Sequence, residues 1–231
     1  MEQLTQLFYK TLIEGGAWLT ILKGLGVTVE ITLLSLLLGT LLAAPMCALR
    51  LSKNCILRGM AAGYIAVLRG SPVLLLLMLM YYVIFARSNM PAPLLAVAAF
   101  SLNVSAHVAE VMRSALLATD KMQTEAARTL GFSWWQAFWL ITFPQAAKIA
   151  RPVYQSTIVN LLQWTSVVGY VTITDLTRVI NNISTRTMQP LFMLLVGIFL
   201  YLALAYLCYG IFACLDRLSE KRAERRKTHG I

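Results

Sequence analysis

Residues 187–215 read TMQPLFMLLVGIFLYLALAYLCYGIFACL, 29 residues without one charged side chain. A helix needs about 20 such residues to cross a hydrocarbon layer of roughly 30 Å. Working outward from this run, four more uncharged stretches appear: 31–49, 70–86, 91–109 and 152–174, of 19, 17, 19 and 23 residues. In lipid every backbone N–H and C=O must find a partner within the chain, so each stretch is expected to be helical. The reading is an all-α membrane protein with about five transmembrane helices.

Composition agrees. Of the 231 residues, 58% are hydrophobic and only 13% charged, whereas a soluble domain carries about a quarter charged residues. The net charge of +10 does not point to nucleic acid. The cations are scattered over loops, the one dense run is 217–227, and no DNA- or RNA-binding signature accompanies them. Glu2, Lys10 and Glu14 interrupt the first twenty residues, so no cleavable leader is expected. The four cysteines, Cys47, Cys55, Cys208 and Cys214, have neither metal-ligand spacing nor a secreted disulfide pattern.

Lys and Arg in the loops give an orientation. Arg50, Lys53, Arg58, Lys121, Arg128, Lys148, Arg151 and the tail cations Arg217, Lys221, Arg222, Arg225, Arg226 and Lys227 make 13 on one side, against Lys10, Arg87, Arg178 and Arg186, 4 on the other. The richer side is expected to be cytoplasmic, with the N-terminus outside and the C-terminus inside.

Two places depart from a plain bundle. Arg69-Gly70-Ser71-Pro72 falls inside an otherwise helical stretch and should weaken it. The connection from about 119 to 151 is long and patterned. Its Leu130, Phe132, Trp135, Phe138, Trp139 and Ile141 lie near helical spacing, which predicts short amphipathic helices along the membrane face. Within this connection stand Glu125-Ala126-Ala127, three residues, Gly131, nine residues, Ile141, one residue, and Phe143-Pro144. Two small alanines permit close contact, Gly131 lets the chain turn, and Pro144 is expected to end the second short helix.

That spacing resembles the Glu-Ala-Ala loop of ABC importer permeases, with Phe143 in place of the usual Leu. Arg69-Gly70-Ser71-Pro72 is similar to the Arg-Gly-Thr-Pro of polar amino-acid permeases, and Glu110 with Arg113, Pro144-Gln145-Ala146 and Thr165-Ser166 extend the likeness. Gln163-Trp164 stands where those permeases often have Lys-Asp. The resemblance, strongest for histidine, glutamine and arginine permeases, implies a type I importer architecture. It gives an external segment 1–16, a transmembrane permease domain 17–216 holding the loop at about 120–151, and a basic tail 217–231. It implies an ATPase-coupling set of Glu125, Ala126, Ala127, Gly131, Ile141 and Pro144, and a substrate pathway near Arg69, Ser71, Glu110, Gln163, Thr165 and Ser166.

The partners it implies are an ABC ATPase dimer, a second permease copy or sister subunit, a periplasmic or lipid-anchored binding protein, and membrane lipid. No phosphate-binding loop occurs, so ATP and Mg are expected on the partner ATPase and no enzyme activity or bound cofactor on this chain. No His, Cys or Asp cluster has metal spacing. Arg69 reads equally as a partner for a substrate carboxylate or as an anchor for freed carbonyls. Glu110 and Arg113 are three apart and suited to pair, and His107 suits packing or hydrogen bonding. Two other functions stay open: an importer of the same build for a sulfur compound or organic anion, and a self-contained channel or carrier. A carrier would show internal repeats, and none is evident.

Overall fold

In the computed structural model the described residues are Tyr9 and 16–228, without the side chains of Asp216 and of 218–228. The expected segment 1–16 therefore lies almost wholly outside them, as do most side chains of the expected basic tail. The described residues form helices joined by turns and short loops, with no strand among them. Its elements are α1 (Ala17–Arg50), α2 (Cys55–Gly70), α3 (Val73–Leu79), α4 (Ala92–Leu117), α5 (Lys121–Thr129), α6 (Trp134–Ala137), α7 (Phe143–Trp164), α8 (Leu176–Thr187) and α9 (Pro190–Thr228). A π turn, Met80–Ile84, continues α3, a second, Phe138–Thr142, joins α6 to α7, and a 3-10 segment, Thr165–Val171, follows α7.

Among the described residues three helices are long and apolar enough to cross a membrane: Ala17–Arg50, Ala92–Leu117 and Pro190–Leu215. The expected crossing at 70–86 takes another form. Cys55–Gly70 and Val73–Ile84 meet at a bend of 106°, so together they make a fourth candidate as one broken span. The expected crossing at 152–174 falls on the second half of α7 and the 3-10 segment. It does not reach the same standard, because α7 begins well inside the polar connection and carries Lys148 and Arg151. α9 runs without interruption from the last apolar run into the basic tail.

The chain divides into two compact units, Met1–Gly24 with Leu176–Ile231, and Leu25–Asp175. In the first, α8 lays Val179, Ile180 and Ile183 inward. A Cβ on Gly197 of α9 would stand 3.0 Å from Ile180 Cδ1, so the Ile180 side chain packs directly onto the α9 backbone there. Thr177 and Tyr201 hydroxyls bond across them at 2.8 Å.

The second unit is built on α4. Its Ala96, Phe100, Val104, Ala106, Val108 and Ala109 have no exposed surface, which marks α4 as the central helix. α1 approaches it along Ser35, Gly39, Ala43 and Cys47, buried at every fourth position. A fourfold repeat of small residues is the row that lets two helix backbones come together. A Cβ on Gly39 would lie 2.6 Å from Val104 Cγ1, closer than side chains tolerate. The Ser35 hydroxyl donates to the Val97 carbonyl at 3.4 Å. Cys47 is thus a packing residue, and all four cysteines are free.

Candidate functional site: the helix break and the long loop

The break between α2 and α3 follows from Pro72. An α-helix through this point would have the residue 72 N–H bond to the Leu68 carbonyl, and proline has no N–H to give. The Leu68 carbonyl is instead taken by Asn103 Nδ2 of α4 at 2.9 Å. Ser71 closes the end of α2, with both its N–H (3.0 Å) and its hydroxyl (2.7 Å) donating to Val67 O. One turn earlier, the Tyr64 hydroxyl meets Ser105 Oγ at 2.6 Å. The break is held by polar side chains from the core helix. Arg69, for which anchoring the break is one of two roles read from sequence, makes none of these bonds and is exposed.

Asn103 is 2% exposed, and its Oδ1 has no hydrogen-bond partner among the described residues. One turn along α4, His107 Nδ1 sits 3.0 Å from the Asn103 carbonyl. A carbonyl can only accept, so in this bond Nδ1 is the nitrogen that carries the proton. The imidazole lies against Trp164 at the end of α7, ring centres 5.1 Å apart.

The expected pathway residues separate here. Glu110 is paired with Arg113 through two hydrogen bonds, that from Nε to Oε2 at 2.9 Å. Ser71 is half-buried and Gln163 exposed, while Ser166 is half-buried. Thr165 is fully buried and its hydroxyl donates to Leu162 O at 2.6 Å, so it caps its own helix. Beyond it, the 3-10 segment ends at Thr172 with φ +67°, a conformation costly for a β-branched residue. Tyr81 and Tyr82 of the first π turn reach this corner, the Tyr82 hydroxyl donating to Tyr170 O at 3.0 Å.

In the long loop, the Glu-Ala-Ala to Gly spacing has a geometrical reason. Asp120 caps the start of α5 by accepting from the Met122 N–H at 3.0 Å. At the other end Gly131 adopts φ +92°. Its N–H donates to Arg128 O at 3.1 Å and the Phe132 N–H to Ala127 O at 3.2 Å. This is the paired Schellman closure, which needs a left-handed residue four places after the carbonyl it seals. Open space surrounds the Gly131 Cα, so the glycine is required by the turn and not by crowding. α6 then starts on a capping box, Ser133 with Gln136.

Ala127 and Ala137 are buried where the two short helices meet, and Glu125 and Ala126 are exposed. Thr124 and Thr142 bond at 3.0 Å and Gln145 donates to Gln123 at 2.7 Å, which ties α5 to the start of α7. Ile141 is half-buried in the π turn. Pro144 departs from expectation. It does not end the second short helix but stands in the first turn of α7, within a continuous helical path from Trp134 to Trp164. The Phe143 N–H bonds five residues back to Phe138 O. That widened turn directly precedes Pro144, where a proline removes the ordinary bond and crowds the carbonyl four residues earlier.

Residues 35–221 match the family described as binding-protein-dependent transport system inner membrane component. The chain belongs to that family. It is 31% identical over 203 residues to a probable amino-acid ABC transporter permease, YckA, of Bacillus subtilis, covering 87% of this chain and 88% of the relative. It is 28% identical over 218 residues to the L-cystine transport system permease TcyB of the same organism, covering 93% and 91%. Among solved structures, a chain of an amino acid ABC transporter crystallised with histidines superposes with a TM-score of 0.77 at 28% identity, over 86% of this chain and 93% of that one. This permease is therefore a multi-pass inner-membrane component of an ABC importer, a transport subunit and not an enzyme.

Proposed function

We propose that this permease imports a polar or charged amino acid, or a close analogue, and is driven through the loop at 121–144 by a partner ATPase. The observation that carries the reading is α5: a two-turn helix capped at both ends, with Glu125, Ala126 and Arg128 outward. Such a preformed segment suits a groove in a soluble partner and transmits motion as a rigid body. The bias of cations in the loops supports a cytoplasmic position for it, with the N-terminus outside and five crossings when the second half of α7 is included. ATP and Mg belong to the ATPase dimer. A second permease, identical or paralogous, completes the channel, and an external binding protein delivers the solute. Relatives named for amino-acid and cystine transport support the solute class.

The test is ATP-driven uptake. The complex is reconstituted in vesicles with its ATPase and binding protein, and labelled amino acids are offered singly. At least one should accumulate only with ATP and binding protein present. Accumulation without ATP would replace the importer with a carrier.

A further inference from the structure

The first unit carries an apolar groove of about 520 Å³ near the start of α1. Its walls are Trp18, Ile21 and Leu22 of α1 and Leu195, Val196 and Phe199 of α9. Phe199 is 71% exposed, and Trp18, Leu22 and Leu195 are about half exposed. An open groove of large apolar side chains calls for a cover.

Lipid tails are poorly placed to supply it. The α1 wall lies on the terminal side of Lys23 and Glu30. Leu22 is roughly 13 Å along the helix from Ile31, where the uncharged run begins. The last apolar run, 187–215, is followed by Asp216 and Arg217. A crossing of about 20 residues counted back from there stops near Val196, so the α9 wall also stands at the edge of the hydrocarbon layer.

The chain's own beginning joins α1 at this edge. Met1–Gly24 belongs to the same unit as α8 and α9. Gly16 enters α1 with φ +60°, a left-handed turn that glycine makes without strain, and its carbonyl accepts from the Leu19 N–H at 3.3 Å. In residues 1–14, Leu4, Leu7, Phe8 and Leu12 recur at helical spacing, while Glu2, Gln3, Gln6 and Lys10 fall on the opposite side. Tyr9, the described residue of this stretch, lies in a helical turn and is exposed. The stretch is too short to cross a membrane, and its pattern suits the boundary between headgroups and tails.

We infer that residues 1–14 fold back from Gly16 as an amphipathic helix whose Leu4, Leu7, Phe8 and Leu12 cover the groove between α1 and α9. The polar side then meets headgroups and water, and the tether through Gly16 keeps the segment at high local concentration.

The test places the photo-crosslinker benzoyl-phenylalanine at Phe199 in the full chain, assembled with its ATPase in membrane vesicles. Illumination should give an adduct at the mass of a single chain, whose digest joins the peptide around 199 to residues 1–14. Leu7→Ser with Phe8→Ser should lower that adduct by about tenfold, the factor that about 1.4 kcal/mol of lost burial gives. Gln6→Ser with Lys10→Ser should leave it within about twofold, as for exposed positions. The crosslinker at Leu195 serves in the same way if the chain altered at 199 does not assemble. Adducts to lipid alone, adducts joining two chains, equal loss for both pairs of substitutions, or no adduct to residues 1–14 would each overturn the inference.

Discussion

The helices are interrupted both at Ser71–Pro72 and at Leu130–Gly131, but the two breaks are held in different ways. At the first, a proline frees a carbonyl inside the core, and a buried asparagine from another helix takes it. At the second, a glycine turns the chain at an exposed corner, and the helix seals its own carbonyls with local N–H groups. The difference follows from solvent. A carbonyl left bare in an apolar interior costs about 1–3 kcal/mol, so the interior break needs a partner from outside the helix. A surface turn has water as its alternative and needs only the right dihedral angle.

The comparison predicts unequal responses. Asn103→Leu keeps the branch at Cγ but strips the Leu68 carbonyl of its donor. It should lower stability by about 1–3 kcal/mol, read as reduced yield and earlier thermal unfolding in detergent. An unchanged melting temperature would mean that the break does not depend on Asn103. Gly131→Ala forces a side chain into a left-handed turn, at a cost of about 1–2 kcal/mol. Because the space around it is open, melting of the membrane core should stay close to wild type while proteolysis within 121–142 becomes faster. Arg69→Ala should have the smallest effect on stability, within about 0.5 kcal/mol as for an exposed position, yet lower uptake. Misassembly of that variant would return Arg69 to an anchoring role.

Much of this was legible in the sequence. The uncharged runs located the long helices because lipid imposes length and helicity together. The break at Arg69–Pro72 was visible because proline removes a hydrogen bond wherever it sits in a helix. The pairing of Glu110 with Arg113 followed from their spacing. Asn103 was not singled out, although an amide inside the run 91–109 is the signal that could have found it. The position of Pro144 was misjudged, because sequence periodicity does not reveal a π turn that makes room for a proline within one continuous helix. Gln163, Thr165 and Ser166 looked like one polar cluster, but residues two apart on a helix do not share a face, so Thr165 turns inward while Gln163 stays outside. The caps at Asp120 and Ser133–Gln136 were readable as helix-start signals and explain why the loop is a folded unit.

The most direct test of the central claim, that the capped loop couples this permease to its ATPase, is binding-protein-stimulated ATP hydrolysis by the purified complex carrying Gly131→Leu. The account predicts normal expression and association, unstimulated hydrolysis near the wild-type basal rate, and loss of both stimulation and uptake. Full stimulation with full uptake in that variant would contradict it.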